Sequence, residues 1–310
     1  DEVVEKSNEI VPELEGALLE AKANTDAVND KVREYAENMI FGFDFDPDLK
    51  KAAKMNMVMA GDGHSNIYNI NSLEYPNGTL PDVPKVTASV AKSVEQKGDL
   101  DACDSAYSLE NAMGKFDCIF TNPPFGSKVE VASSIAENYE LKAFTAPEVL
   151  FIEQCYNYLK PGGKMGIVLP DGILGNPNTE VVRKWILEHF KLLASVDLPV
   201  ETFLPQVGVQ ASLLFLQKKT AMERLVDPNS EMYDVFMAIA EKVGKDRRGN
   251  VIYEKDDDGA EILFVDKKEW ASYNRQGELI ARHRTERVKH VDDDLPKISK
   301  AYKQFLEEKR

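Results

Sequence analysis

FDCIFTNPPFGSK, residues 116–128, begins as an apolar run of strand character and breaks on two adjacent prolines. Proline has no N–H to give to a ladder and fixes its own φ, so Pro123 and Pro124 end the strand and stiffen the turn after it. The residue ahead of a proline is held extended as well. The Asn122 amide and the Phe125 ring are therefore presented at fixed places where a strand stops. The plainer reading is a proline-capped strand end with a buried phenylalanine. Asn-Pro-Pro-aromatic after a strand is rare, which favours a chemical use.

Working outward, MIFGFD (39–44) and NIYNIN (66–71) read as buried strands on either side of a helix. In that helix Asp46 is placed as N-cap and Pro47 at the first helical position. Leu49, Ala52, Ala53, Met57 and Ala60 recur at helical spacing as an inward face. Residues 9–38 read as two helices separated near Asn24, and the polar, proline-containing stretch 72–115 as an insertion. Downstream lie a helix PEVLFIEQCYNYL (147–159), a strand MGIVLP (165–170) and a helix over 179–190. The strands LLASVDLP (192–199) and QASLLFLQK (210–218) then close the sheet. Short strands alternating with helices predict a parallel α/β sheet. GDGHSN (61–66) looks like a phosphate loop but precedes a strand and lacks the Lys-Ser/Thr ending, so it reads as a turn, as does KPGGK (160–164). Residues 1–220 form one domain in this reading and 221–310 a smaller C-terminal extension. There, YDVFMAIAEKVG fits an edge strand or a helix, and EKDDDGAE an acidic loop. Residues 294–309 fit an amphipathic helix with Leu295, Ile298, Tyr302, Phe305 and Leu306 on one side. No internal repeat stands out.

The 310 residues can build one large core or two modest ones. Cys103, Cys118 and Cys155 are an odd number without a C-x-x-C pair, which predicts reduced thiols and a cytoplasmic protein. His64, His189, His283 and His290 lack zinc-ligand spacing, so no metal is expected. No apolar run is long enough for a bilayer, and no membrane partner is expected. The net charge of −15 predicts that the chain alone binds nucleic acid poorly, because phosphate neutralisation supplies most of that affinity. If DNA is the substrate, another subunit or segment must bring the positive charge.

In an open α/β sheet ligands gather at the carboxyl ends of the strands. Asp44 ends the first strand, Asn71 and Ser72 the second, and Asn122 the third. A carboxylate in the position of Asp44 can take both hydroxyls of a ribose, or it can simply start the following helix. Asn71 by itself reads as a turn residue. The Asn-Pro-Pro turn suits a particular difficulty. The exocyclic amine of adenine is a poor nucleophile because its lone pair is delocalised into the ring. Two carbonyl acceptors on its two N–H bonds stabilise the nitrogen as it turns tetrahedral and gains positive charge. The Asn122 side-chain oxygen and the Pro123 main-chain carbonyl can be that pair. Pro124 fixes their angle, and Phe125 can stack on a base turned out of its helix.

TNPPFGSK resembles the catalytic motif of amino-group DNA methyltransferases, the adenine-N6 enzymes that use S-adenosylmethionine. FGFDFDPDLKKAAKMNMVMAGDGHSNIYNINSL, EVLFIEQCYNYLKPGGKMGIVLPDGIL and VDLPVETFLPQVGVQASLLFLQK are similar to stretches of the modification subunits of type I restriction–modification systems. The resemblance covers about residues 39–220. It implies a Rossmann-like methyltransferase sheet and methyl transfer from S-adenosylmethionine to N6 of adenine in DNA. It also implies partnership with a specificity subunit and a restriction subunit. By the same resemblance Asp44, Asn71 and Ser72 face the cofactor, and Asn122, Pro123, Pro124 and Phe125 the target base. The family's acidic-x-x-x-Gly-x-Gly loop does not occur in the chain, and where the family usually closes a strand on aspartate this chain has Asn71. By the family's order that loop precedes Asp1. The chain is therefore expected to be a piece of a longer protein, with the first strand missing, and inactive alone. Rival expectations are methylation of another amino group, RNA guanine-N2 or a protein glutamine, and a non-catalytic assembly module of the same fold.

Overall fold

The computed structural model describes residues 30–31, 33–36, 39–60, 66–69, 71–74, 114, 116–125, 131–225, 232–273 and 279–309. Most of the expected N-terminal helices, the 72–115 insertion and the GDGHSN turn lie outside these residues. The chain forms two compact units, a smaller one of residues 1–70 and 255–290 and a larger one of residues 71–254 and 291–310.

In the smaller unit β1 (Gly42–Asp44) pairs in parallel with β2 (Ile67–Asn69), in a register that sets Asp44 against Asn69. Between them runs α1 (Pro47–Met59), started as its sequence predicts: Pro47 is at the first position and the Asp46 carboxylate accepts from the N–H groups of Asp48 and Leu49. Its expected inward face is only partly covered. No residue of α1 is buried, and Leu49 is 57% exposed. The three-residue strands beside it offer too narrow a surface for a full apolar stripe.

The larger unit is built on a five-stranded sheet ordered β3-β4-β6-β5-β7. β3 (Phe116–Thr121) is followed by α2 (Ser133–Ala136) and α3 (Pro147–Tyr158), which leads directly into β4 (Leu159–Pro170). α4 (Asp171–Gly175) and α5 (Glu180–His189) precede β5 (Phe190–Leu198) and β6 (Ala211–Lys218). β7 (Phe236–Ile239) and the terminal helix α6 (Leu295–Glu307) complete the unit. β3 runs parallel to β4, and β7 to β5, but β6 is antiparallel to both its neighbours. The sheet is therefore mixed, and β6 lies inside it between β4 and β5, where the sequence suggests an all-parallel sheet closed by this strand. The connection from β5 to β6 carries no crossover helix, and a strand returning without one comes back antiparallel. The ambiguous stretch near 236 is the edge strand β7.

Two irregularities do structural work. The KPGGK stretch, expected as a turn, lies within β4 as a bulge: Phe116 pairs with Leu159, and the next pair is Cys118 with Lys164. In β5 the register slips between Leu192 and Ala194. Alternate side chains of a strand point to opposite faces, so one extra residue moves the following set across the sheet. Leu192 accordingly packs with the core under α3 and α5, whereas Val196 and Leu198 belong to a second core under Leu295 and Ile298 of α6. The alternation of β6 agrees: Leu214 and Leu216 join the first core, Leu213 and Phe215 the second.

α3 is buried almost all round, as a helix lying on a sheet must be, and Leu150 and Ile152 are fully buried. Glu153 on the same helix holds the N–H groups of Glu140 and Leu141, and burial raises its carboxyl above the usual range. α5 turns Val182, Trp185, Ile186 and His189 inward at helical spacing. The His189 ring stacks on Trp185 at 4.0 Å. Its Nδ1 lies 2.9 Å from the Trp185 carbonyl, which can only accept, so Nδ1 carries the proton and Nε2 accepts from Arg224 at 3.2 Å.

Beyond β7 two turns share one backbone. Asp246 Oδ1 accepts from the N–H groups of Arg248 and Asn250, and Gly249 takes φ +87°. Asp256 Oδ1 accepts from those of Asp258 and Ala260, and Gly259 takes φ +84°. The K-D-x-x-G pattern in KDRRGN and KDDDGA is a short repeat not singled out in the sequence. The first turn belongs to the larger unit and the second to the smaller. β8 (Phe264–Tyr273) and β9 (Leu279–Val288) form an antiparallel hairpin in the smaller unit. The like charges of the facing pair Lys268 and Arg284 are offset by Glu286, 2.9 Å and 3.3 Å away.

Candidate active site

The ladder of β3 runs as far as Thr121, opposite Ile167, and stops where the prolines begin. Asn122 is exposed, Pro123 buried, Pro124 exposed and Phe125 half-buried. Among the described residues neither the Asn122 amide nor the Pro123 carbonyl is engaged in a hydrogen bond. A buried proline thus anchors a turn whose two acceptors remain available. The Phe125 ring meets the ring of Phe203 edge-on, with centroids 5.5 Å apart and planes at 89°. Phe203 follows the 3-10 turn Val200–Thr202 at the end of β5. The sequence reading missed it. Its position in a short loop after a strand-ending proline was the available signal, and no periodicity marks it.

Asn71 and Ser72 lie in the same unit as the Asn-Pro-Pro turn, and Asp44 in the smaller one. The Asn71 Oδ1 accepts from the N–H of Leu73 at 3.2 Å and starts the 3-10 turn Ser72–Glu74. The Ser72 carbonyl accepts from Gln154 Nε2 at 2.6 Å, and the Leu73 carbonyl from the Tyr139 hydroxyl at 2.7 Å. Tyr139 and Gln154, both overlooked in the sequence, thus tie this segment to α3 and the loop before it. Burial raises the Tyr139 hydroxyl far above its ordinary range, so it stays a neutral donor. The Asp44 Oδ1 accepts from the Asp46 N–H at 2.7 Å, a local bond that leads the chain into α1. Asn69, also overlooked, donates to the carbonyls of Asp44 and Phe45 at 3.0 Å and 2.7 Å and fixes this corner.

At the ends of β4 and β5 the carboxylates are engaged. Asp171 Oδ1 accepts from the Ser212 hydroxyl at 2.9 Å, and Gln210 Nε2 reaches Asp197 at 3.4 Å. Among the described residues no three His, Cys, Asp or Glu side chains gather to hold a metal ion. Cys155 is buried, and burial pushes its thiol up to about 12. Within the described residues no helix is long and apolar enough to cross a membrane.

At the end of β3 in this mixed sheet, the Asn122 amide carries no hydrogen bond among the described residues, and the Phe125 ring lies edge-on to Phe203. The chain matches the family model for N-6 DNA methylases over residues 15–279, and it belongs to that family. It is 25% identical over 197 residues to the methylase subunit of the type I restriction enzyme EcoKI of Escherichia coli (strain K12), covering 61% of this chain and 36% of that one. The methylase subunit of the type I restriction enzyme StySJI of Salmonella typhimurium is 25% identical over the same shares of each chain. Among solved structures, a type I restriction–modification methyltransferase subunit from Streptococcus thermophilus is 20% identical with a TM-score of 0.40, covering 59% of this chain and 34% of that chain. This chain thus spans about a third of the length of the curated relatives it matches.

Proposed function

We propose that the chain carries the target-base site of a modification subunit that methylates N6 of adenine in DNA. The observation that carries this reading is the Asn122–Phe125 turn, whose side-chain amide and Pro123 carbonyl have no hydrogen bond among the described residues while its ring lies edge-on to Phe203. In the proposed reaction Asn122 Oδ1 and the Pro123 carbonyl each accept an N–H of the adenine amine. Both bonds strengthen as the nitrogen takes on positive charge, so they favour the transition state over the ground state. S-adenosylmethionine would supply the electrophilic methyl on its sulfonium. Formation of the N–C bond would break the sulfur–methyl bond and release S-adenosylhomocysteine as a neutral thioether, and one amine proton would pass to solvent. Phe125 holds the extruded base in place. Among the described residues Asp44 Oδ2 carries no hydrogen bond and could take ribose hydroxyls, while the backbone carbonyls of Ser72 and Leu73 are held by Gln154 and Tyr139. Residues 1–220 would form the transferase domain and 221–310 an extension that adds β7 to its sheet. A specificity subunit and a restriction subunit in the cytoplasm would complete the assembly and supply positive charge for DNA.

The test uses the complete subunit with its specificity partner. Asn122→Ala should lower transfer of labelled methyl groups to unmethylated DNA by about 100-fold or more, as loss of one transition-state acceptor does. Cofactor affinity by calorimetry should stay nearly unchanged. Wild-type turnover from that variant would overturn the mechanism. A wild-type complex without methyl transfer would favour the assembly-module reading, and labelled RNA or protein instead of DNA would identify another amino group.

A further inference from the structure

Phe203 meets the Phe125 ring edge-on and itself packs, half-buried, against the core of Val196, Leu198 and Ala240. Three backbone bonds shape the loop: Thr202 N–H to the Pro199 carbonyl at 2.9 Å, Phe203 N–H to that of Val200 at 3.3 Å, and Val207 N–H to that of Phe203 at 2.9 Å. Among the described residues the Thr202 hydroxyl is buried without a hydrogen-bond partner. Further contacts on the loop come from the turn Lys245–Asn250. Arg247 Nε donates to Glu201 Oε1 at 2.9 Å, and Lys245 Nζ to the Leu204 carbonyl at 3.4 Å. A Cβ on Gly249 would lie in ordinary van der Waals contact with the Pro205 ring, 3.4 Å from its Cδ.

The second turn of the same pattern, at Asp256–Ala260, is an internal control. It closes with the same hydrogen bonds although its tip carries Asp257 and Asp258 instead of two arginines. The backbone of the turn does not need arginine, so Arg247 must be accounted for by what it reaches. It reaches Glu201 and holds that carboxyl below the usual range. A cavity of about 340 Å³ beside the turn is lined by Glu201, Lys242, Lys245, Arg247 and Asp292 among others. Two ion pairs cross its lining, Lys242 with Asp292 at 2.8 Å and Arg247 with Glu201 at 2.9 Å, so the arginine is engaged with the loop rather than aimed into the space.

We propose that the turn Lys245–Asn250 braces the Val200–Pro205 loop, with Arg247 acting through Glu201 as a positioning residue for Phe203 and hence for Phe125. The catalytic part of this inference rests on the proposed function; the brace itself does not. In the complete subunit with its partner, Arg247→Glu should speed amide hydrogen exchange at Thr202 and Phe203 about fivefold or more. It should lower kcat about tenfold by misplacing the ring, while the KM for cofactor and the melting temperature stay close to wild type. The exchanged pair Glu201→Arg with Arg247→Glu should restore both exchange protection and kcat. Arg248→Glu, with the same charge change one residue along, should leave both within about twofold, since among the described residues Arg248 offers only its backbone N–H, to Asp246. Unchanged exchange in Arg247→Glu would overturn the brace, as would equal losses in Arg248→Glu or failure of the exchanged pair to rescue. If the wild type transfers no methyl group, the proposed activity fails, and hydrogen exchange still decides the brace.

Discussion

Asn122 and its prolines are the part of the molecule in which local sequence and proposed function coincide. A diproline fixes its own backbone whatever surrounds it, so the presented amide could be inferred from a few residues. Phe125 is different, because its half-buried ring has both a structural neighbour and a proposed substrate. The edge-on pair with Phe203 is worth about 1 kcal/mol beyond area burial. Phe125→Ala should therefore lower stability modestly and sharply weaken binding of DNA carrying a mismatched adenine at the target position, whereas Phe125→Tyr keeps both. A thermal melt beside a DNA-binding titration checks this; a large loss of melting temperature with unchanged DNA affinity would make the ring structural only. Phe203 was illegible for the opposite reason, since a loop far along the chain supplies it. Asn71 shows the same limit. The sequence places an amide at a strand end, but only the fold shows its oxygen held by the Leu73 N–H.

At the level of elements, helices with capping residues and one apolar stripe were readable, and strand partners were not. Nothing within QASLLFLQK says that it enters between two earlier strands, because pairing is decided by how the chain returns. Nothing within LLASVDLP marks the slip at Leu193. The junction of α5 and β5 carries a pH prediction. Burial lowers the pKa of His189 below the ordinary imidazole value of about 6.5, so the folded state favours the neutral ring. The unfolded chain then binds the proton first as acid is added. Stability should be full above about pH 6.5 and fall as pH drops through the folded value, where the charged ring can no longer accept from Arg224. Melting curves between pH 7.5 and 5 should show this decline, and His189→Phe should flatten it. A curve of the variant parallel to wild type would remove His189 as the cause. Glu223, held down to about 2 by Lys191 and Thr220, responds only in a more acidic range and does not confuse the result.

Over the whole molecule the net charge of −15 opposes approach to a phosphate backbone. The 310-residue chain purified alone should bind duplex DNA with a Kd weaker than about 10⁻⁵ M at physiological salt. Fluorescence anisotropy would test this, and tight binding would mean that a local basic surface outweighs the total. The slip in β5 has a different consequence. One strand contributes Leu192 to the core beneath α3 and Val196 to the core beneath α6. Those two cores share a covalent wall, so neither can loosen without releasing the register that defines the other. Leu150→Ala in the first, costing about 2–5 kcal/mol, and Ile298→Asp in the second should shift the same calorimetric transition. Two separate peaks would show the cores to be independent, whereas one peak makes β5 the element through which damage on either side of the sheet is felt on the other.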